Sequence, residues 1–256
     1  MLTVQKVYDI INTIAPFDTQ ESWDNSGLLL GNPNMEVKGI HLALDVTANV
    51  IDEALANGAN LIISHHPLIF SPMRRLVEGD MDYETRMVCR MIREGMALIS
   101  AHTNWDAANG GMNDVLAKLL GLQNVTGEGV IRVGDLPKAI DGSTLTAQVQ
   151  AALGDVVRPM GNTANSYTRV GLCTGGGSDF WAEAYKLGAD VFVTGEVKHH
   201  HALAMADMGM LALECGHFAT ENPGMQALAD ALQIALHGVY YKIPIFVSQA
   251  AAYAAL

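Results

Sequence analysis

Glu53-Ala54-Leu55-Ala56-Asn57-Gly58-Ala59-Asn60-Leu61-Ile62-Ile63-Ser64 is written a second time as Glu183-Ala184-Tyr185-Lys186-Leu187-Gly188-Ala189-Asp190-Val191-Phe192-Val193-Thr194, at an offset of 130 residues. Each copy reads as the end of a helix, a glycine stop, a short apolar run and a small hydroxyl residue. Glycine suits a helix stop because it adopts the left-handed conformation without a Cβ penalty. The apolar runs do not alternate with polar residues, so both strand faces are buried, as in a parallel sheet covered by helices. Working outward, residues 38–66 slide onto 168–196, which sets His66 opposite Glu196. Ala101-His102-Thr103-Asn104-Trp105-Asp106 then matches Gly216-His217-Phe218-Ala219-Thr220-Glu221 at an offset of 115, so the first copy carries about fifteen extra residues, assigned to the loop 67–82. Gly111-Met112 and Gly224-Met225 each open a helix. A repeat of this kind predicts a duplicated α/β unit.

The rest of the chain agrees with that alternation. Val4, Val7, Ile10, Ile11 and Ile14 recur at helical spacing behind Thr3, and Pro16 ends the pattern. Strand-like runs lie at 40–44, 61–63, 96–99, 170–173, 191–193, 210–213 and 239–245, and a connecting region, 123–162, contains a strand-like 130–133 and a helix-like 146–153. The expected fold class is α/β, with two related lobes, residues 1–127 and 128–256. Each is a mainly parallel sheet flanked by helices, with a metal site in the cleft between them, and the C-terminal strand is a candidate to return to the first lobe.

Composition narrows the function. Half of the 256 residues are hydrophobic, 16% are charged and the mean hydropathy is +0.18, which excludes a disordered chain. Fifteen basic against 27 acidic residues give a net charge of -12, and neither Arg74-Arg75 nor the spaced Arg86, Arg90 and Arg93 makes a basic patch, so direct nucleic-acid binding is not expected. No apolar run reaches the roughly 18 residues of a membrane span. The tail 243–256 is interrupted by Pro244, Ser248 and Gln249, and Lys6 and Asp9 break any signal-peptide core; a cytoplasmic protein is expected. Three cysteines, Cys89, Cys173 and Cys215, have no CxxC spacing, so any metal must rest on His, Asp and Glu.

Those residues gather where strands are expected to end, the edge at which open parallel sheets bind ligands. His65 and His66 follow the run 61–64; His102 and Asp106 follow 96–100; Glu196 follows 191–194; Glu214, His217 and Glu221 follow 210–213. Adjacent histidines on a continuing strand would face opposite ways, but Pro67 favours a turn that lets both imidazoles approach one volume. Each His-x3-acid segment sets imidazole and carboxylate one turn apart if the chain coils. His65, His66, Asp106, His217 and Glu221 are therefore candidate metal ligands, against the alternative of polar strand ends. His102 is open between ligand and proton-transfer residue. Such a donor set favours zinc, manganese or iron over calcium or magnesium. His199-His200-His201, if it opens a helix, fans its rings at about 100° intervals, so two read as a solvated face. Gly175-Gly176-Gly177-Ser178 is either an anion-binding turn or a tight turn with Ser178 as N-cap. Cys215 reads as a small apolar filler.

Trp23-Asp24-Asn25-Ser26-Gly27-Leu28, Ser64-His65-His66-Pro67, Ser100 to Asp106, Thr174 to Ser178, Thr194-Gly195-Glu196 and Gly216 to Glu221, taken together, resemble the NIF-three-like family, often labelled GTP cyclohydrolase I type 2 homologues. The resemblance covers nearly the whole chain, in a short form without a central insertion. It implies two α/β lobes, a dinuclear metal centre in the cleft between them and a ring-shaped hexamer. It implies metal ligation by His65, His66, Asp106, His217 and Glu221, with His102 close to the metals, and it places Trp105 where an aliphatic residue is usual. The function expected is a metal-dependent hydrolase using two divalent ions on a small, nucleotide-like substrate, with GTP-cyclohydrolase-like ring opening as one form and His102 or Glu196 moving the proton. The alternative is a non-catalytic metal-binding or metal-delivery protein.

Overall fold

The computed structural model describes residues 1–77, 79 and 82–250. The chain opens with α1 (Val4–Ile14), then β1 (Gly27–Leu30), β2 (Ile40–Ala43), α2 (Ala48–Ala56), β3 (Leu61–Ser64), α3 (Tyr83–Arg93), β4 (Ala97–Ser100) and a short α4 (Thr103–Ala107). Next come α5 (Met112–Leu119), β5 (Gln123–Thr126), β6 (Arg132–Asp141), α6 (Gly142–Leu153), β7 (Arg158–Met160) and β8 (Ser166–Cys173). They are followed by α7 (Trp181–Lys186), β9 (Val191–Thr194), α8 (His199–Asp207), β10 (Leu211–Glu214), α9 (His217–Gly238) and β11 (Ile245–Val247). The result is a mixed α/β fold with two sheets flanked by helices. Among the described residues, no helix is long and apolar enough to cross a membrane.

The chain forms two compact units, Met1–Ala108 with Met225–Leu256, and Asn109–Gly224. The first holds a five-stranded sheet in the order β1-β4-β3-β2-β11. Its strands β4, β3, β2 and β11 run parallel, and only the β1 edge is antiparallel. Every residue of β2, β3 and β4 is buried, as unbroken apolar runs require. Ile51, Ala54, Ile62, Met91 and Leu98 pack into the core beside that sheet. At α1, Thr3 Oγ1 accepts from the Lys6 amide, and Val4, Val7 and Ile11 are buried at helical spacing.

The second unit has six strands in the order β5-β6-β8-β9-β10-β7. β8, β9 and β10 are parallel, with Val170 level with Val191 and Leu211, the same arrangement as Ile40, Leu61 and Ala97 in the first unit. The remaining pairings, β5 with β6, β6 with β8 and β10 with β7, are antiparallel. This sheet is therefore mixed, where the residue pattern predicts a mainly parallel one. The connecting region 123–162 supplies the difference, because it forms β5, β6 and β7. The strand-like 130–133 marks the start of β6, but the strand runs on to Asp141 past an interruption of its ladder to β8 between Asp135 and Ile140, where Pro137 has no N–H to give.

The two glycine stops work as expected. Gly58 has φ +69° and Gly188 φ +87°. In the first unit, Ala59 N–H donates to the Ala54 carbonyl (2.9 Å) and Gly58 N–H to Leu55 (3.0 Å). In the second, Ala189 N–H donates to Ala184 (3.1 Å) and Gly188 N–H to Tyr185 (2.9 Å). Paired bonds of this kind satisfy carbonyls left open at a helix end and turn the chain back toward the sheet.

A linear division at residue 127 does not describe these units. Helix α5 contributes Leu116 and Ala117 to the second unit's core, and β11 is hydrogen-bonded beside β2 in the first. The C-terminal strand also starts later than the apolar pattern 239–245 predicts. Val239 and Tyr240 form a turn, and Pro244 offers only its carbonyl, to Ile40 N–H (3.0 Å), so the paired strand begins at Ile245. Of the loop 67–82, residues 78, 80 and 81 lie outside the described residues, as do residues 251–256 of the tail.

One buried histidine makes the first unit sensitive to acid. His41 in β2 is 1% exposed, its Nε2 lies 3.2 Å from Glu53 Oε2, and Ser248 Oγ donates to the same oxygen (2.6 Å). Burial pushes the imidazole below its ordinary 6.5, with Glu53 opposing in part. The folded chain thus favours neutral His41, and the unfolded chain takes up the proton first as pH falls. The contribution to stability is complete above pH 6.5 and is lost as pH falls through the lowered folded value. His41→Leu should flatten the decline in unfolding free energy below pH 6.5. Denaturant titrations at stepped pH check this, and identical slopes for the two proteins would refute it.

Candidate functional site

Parallel strands that end level deliver their following residues to one edge. Ala43, Ser64 and Ser100 are level in β2, β3 and β4, and the pairing persists past the strands, with His65 N–H on Ala43 O (3.1 Å) and Ala101 N–H on Ser64 O (2.9 Å). Ser64 Oγ then donates to the His66 carbonyl (2.7 Å), turning the chain at Pro67. His65, His66 and His102 come together as a result. Their ring centroids are 5.0 to 5.6 Å apart, and one ring nitrogen from each lies within 4.8 Å of the others. These are groups that can bind a metal ion.

What orients the rings decides what they can do. His65 Nδ1 is 2.9 Å from the Ala101 carbonyl, which can only accept; Nδ1 therefore carries the proton and Nε2 keeps its lone pair. His66 Nδ1 sits 2.8 Å from Asp45 Oδ1, and His102 Nδ1 2.7 Å from Asp24 Oδ1, with the same consequence. A histidine whose second nitrogen is held by a carboxylate or carbonyl is the arrangement typical of metal ligands. Asp106 lies one turn after His102, and its amide donates to the His102 carbonyl (3.0 Å). Its carboxylate, however, lies 3.6 Å from His65 Nε2, while His102 turns to Asp24.

Asp24 is the hub of this unit. Its side chain is fully buried and accepts from His102 Nδ1, Ser26 Oγ (3.0 Å), the Asn25 amide (2.7 Å), and both the amide (3.0 Å) and hydroxyl (2.5 Å) of Thr103. Burial alone would raise its pKa, but the bonds from His102 and Thr103 and the attraction of His102 outweigh it and hold the carboxyl well below the usual range. Sequence reasoning assigned no role to Asp24 or Asp45. Asp45 was within reach of the same strand-end logic, since it follows β2. Asp24 stood inside a quoted motif, but it reaches the site from a loop.

In the second unit, the segment from His217 to Glu221 is the first turn of α9. His217 Nε2 lies 3.2 Å from Glu221 Oε2, and its Nδ1 lies 2.9 Å from Glu196 Oε1. Glu221 is 4% exposed. The glycine turn packs directly on this pair: Gly175 has φ +59°, and a Cβ there would stand 2.0 Å from Glu221 Oε1 and 2.9 Å from His217 Nε2. Its amide is engaged by Thr220 Oγ1 (3.1 Å). Close approach therefore accounts for glycine at 175. Ser178 is not a helix cap; it is buried in a 3-10 turn (Gly177–Phe180), where its hydroxyl accepts from the Lys198 amide (3.3 Å) and meets His201 Nδ1 (3.1 Å). His199 and His200 are exposed at the start of α8. Cys215 is fully buried and its thiol is pushed up to about 12 by burial, with Glu214 and Asp155 adding to it, which leaves it a space-filling residue.

A two-sheet α/β protein with imidazoles at strand ends, each oriented through Nδ1 by a carboxylate or a carbonyl, is the class these features define. The chain belongs to the Duf34/NIF3 (NGG1p interacting factor 3) family, which it matches over residues 2–252. It is 34% identical over 242 residues to the GTP cyclohydrolase 1 type 2 homolog of Clostridium perfringens, covering 91% of this chain and 92% of that one. It is 30% identical over 259 residues to the protein of the same name from Clostridium acetobutylicum, covering 97% and 96%. The crystal structure of Staphylococcus aureus protein SA1388 superposes with a TM-score of 0.92 at 26% identity, over 98% of this chain and 97% of that one.

Replacing Asp24 by Ala strands its buried donors. The expected loss is about 3 kcal/mol of stability, the order found for removing one partner of a buried pair, with Asp24→Asn losing less. Equilibrium denaturation measures it, and a loss under about 0.5 kcal/mol would show that Asp24 does not hold the cluster.

Proposed function

We propose that the protein binds a pair of divalent metal ions through His65, His66 and Asp106 of one unit and His217 and Glu221 of the other, as a dinuclear centre in a cleft shared by the two. We read it as a metal-dependent hydrolase acting in the cytoplasm on a small nucleotide-like substrate, with GTP-cyclohydrolase-like ring opening as the leading reaction. The observation that carries this reading is the orientation of the imidazoles. His65, His66 and His217 each commit Nδ1 to an acceptor, which leaves the lone pair on Nε2, and in His65 and His217 that Nε2 faces a carboxylate of the proposed ligand set. Donors of imidazole and carboxylate suit zinc, iron or manganese. The names of the clostridial relatives support the choice of reaction. The repeated helix, glycine and strand supports descent of the two units from one duplicated segment.

Divalent ions held there would lower the pKa of a water and neutralise charge developing on the substrate. The proton is assigned to the chain's own residues. His102, held through Nδ1 by Asp24, has Nε2 free to take or return a proton at the reacting atom. Glu196 is two-thirds exposed and bonded to His217 Nδ1, which suits it to fixing that ring as well as accepting a proton. Gly175 keeps the His217 and Glu221 pair in place by lacking a side chain.

The test is metal analysis of the purified protein, then GTP and phosphoester turnover before and after chelation. Stoichiometric metal and turnover abolished by chelator and by His217→Ala are expected. Glu196→Gln should weaken metal affinity about 10- to 100-fold, the range for orienting partners. Gly175→Ala should reduce metal content while the chain stays folded. Bound metal with no metal-dependent turnover on a broad nucleotide panel would refute the hydrolase and leave a metal-binding or metal-delivery protein. We also propose the ring-shaped hexamer that the family resemblance implies, which predicts a light-scattering mass six times the 27.4 kDa chain.

A further inference from the structure

Trp23 and Phe70 are left 55% and 46% exposed beside the histidine cluster. The Trp23 ring lies edge-on to His102, at 6.1 Å between centroids and 75° between planes. It is also 6.1 Å from the Phe70 ring, tilted by 41°, so the two are not stacked face to face on each other. Large aromatic faces held in water contribute little to a core, and side by side they make an apolar patch of the kind that marks recognition surfaces. These two are also fixed in place. Asp24, next to Trp23, is bonded to His102 and Thr103, and Asn25 Nδ2 donates to the Ile69 carbonyl (2.5 Å), tying the segment that carries Phe70 to the one that carries Trp23. Phe70 lies in the stretch between β3 and α3, the part of the first repeat that the second lacks.

We propose that Trp23 and Phe70 form a stacking platform that selects substrates carrying a flat heteroaromatic ring, placing that ring beside His102 and excluding aliphatic phosphate compounds. The location of the reacting atom rests on the hydrolase reading above; the recognition step is a binding event and is measured separately. Every nucleobase presents a π-face, so the platform selects ring-bearing compounds as a class and leaves discrimination among bases to polar contacts. The edge contact with His102 fixes how near the stacked ring comes to the donor cluster.

The experiment is calorimetric titration of the protein, carrying its metal as purified, with GTP, ATP, UTP and nicotinamide mononucleotide, and with inorganic tripolyphosphate as the ringless probe. Wild type should bind at least one of the ring-bearing compounds more tightly than tripolyphosphate. Trp23→Ala and Phe70→Ala should each weaken that binding about tenfold, the order of an aromatic stack on one base, without changing tripolyphosphate affinity or metal content. Trp23→Phe should recover most of the loss. Should Trp23→Ala shed metal through Asp24, Phe70→Ala decides the matter alone. Unchanged affinity in Phe70→Ala, equal losses for tripolyphosphate, or no binding of any ring-bearing compound by wild type would each overturn the proposal. Ring-dependent binding without turnover would refute the hydrolase and leave the platform standing.

Discussion

The register of three parallel strands is the constraint on which the first unit's chemistry depends. Because Ala43, Ser64 and Ser100 stand level, the residues that follow them leave the sheet at one height, and Asp45, His65, His66 and His102 gather without any one loop having to be long. The level ends follow from buried apolar runs of equal length, since slipping one strand by a residue would reverse which of its side chains face each layer. The second unit repeats the device with β8, β9 and β10, whose ends place Glu196 within reach of His217. In both cases the hydrophobic effect sets the geometry of polar groups that it does not itself stabilise.

Orientation is the second requirement, and hydrogen bonds supply it. An imidazole on a strand end can rotate about two bonds; fixing Nδ1 on a carbonyl or carboxylate removes that freedom and settles the tautomer. Four acceptors do this work: the Ala101 carbonyl, Asp45, Asp24 and Glu196. Asp24 is the most committed, with its depressed pKa ensuring that it stays an acceptor throughout the physiological range. Part of the chain's acidic surplus is thus invested in positioning histidines, which gives the net charge of -12 a local meaning beyond repulsion of polyanions.

The strand ends were legible because the signals are local. Helix stops at Gly58 and Gly188, the strands that follow them, and the histidines after those strands are neighbours in the chain, so short-range periodicity and glycine chemistry are enough to read them. Of the second sheet's antiparallel half only the start of β6 was legible, as the strand-like 130–133; the rest was not, since β6 is broken at Pro137 and half exposed, and β5 is exposed throughout. Such strands are held by ladder partners far along the chain. The return of the C-terminal strand to the first unit was offered by the sequence as a candidate, and β11 makes it by pairing with β2 across some two hundred residues. Asp45 follows a strand end as the histidines do and carries the same local signal; Asp24 comes from a loop and has no periodic signal.

The sequence by itself determined the alternation of helix and strand, the repeated residue pattern, and the gathering of imidazoles and carboxylates at strand ends, because each is carried by residue type at close spacing. Only the tertiary structure decided which acceptor holds which ring. His-x3-acid reads the same at 102 and 217, yet His217 meets its own Glu221 while His102 goes to Asp24 and Asp106 approaches His65. The reason is that a side chain binds the partner that folding brings within about 3 Å, and in a parallel sheet that partner comes from another strand end or a distant loop as readily as from the next helical turn.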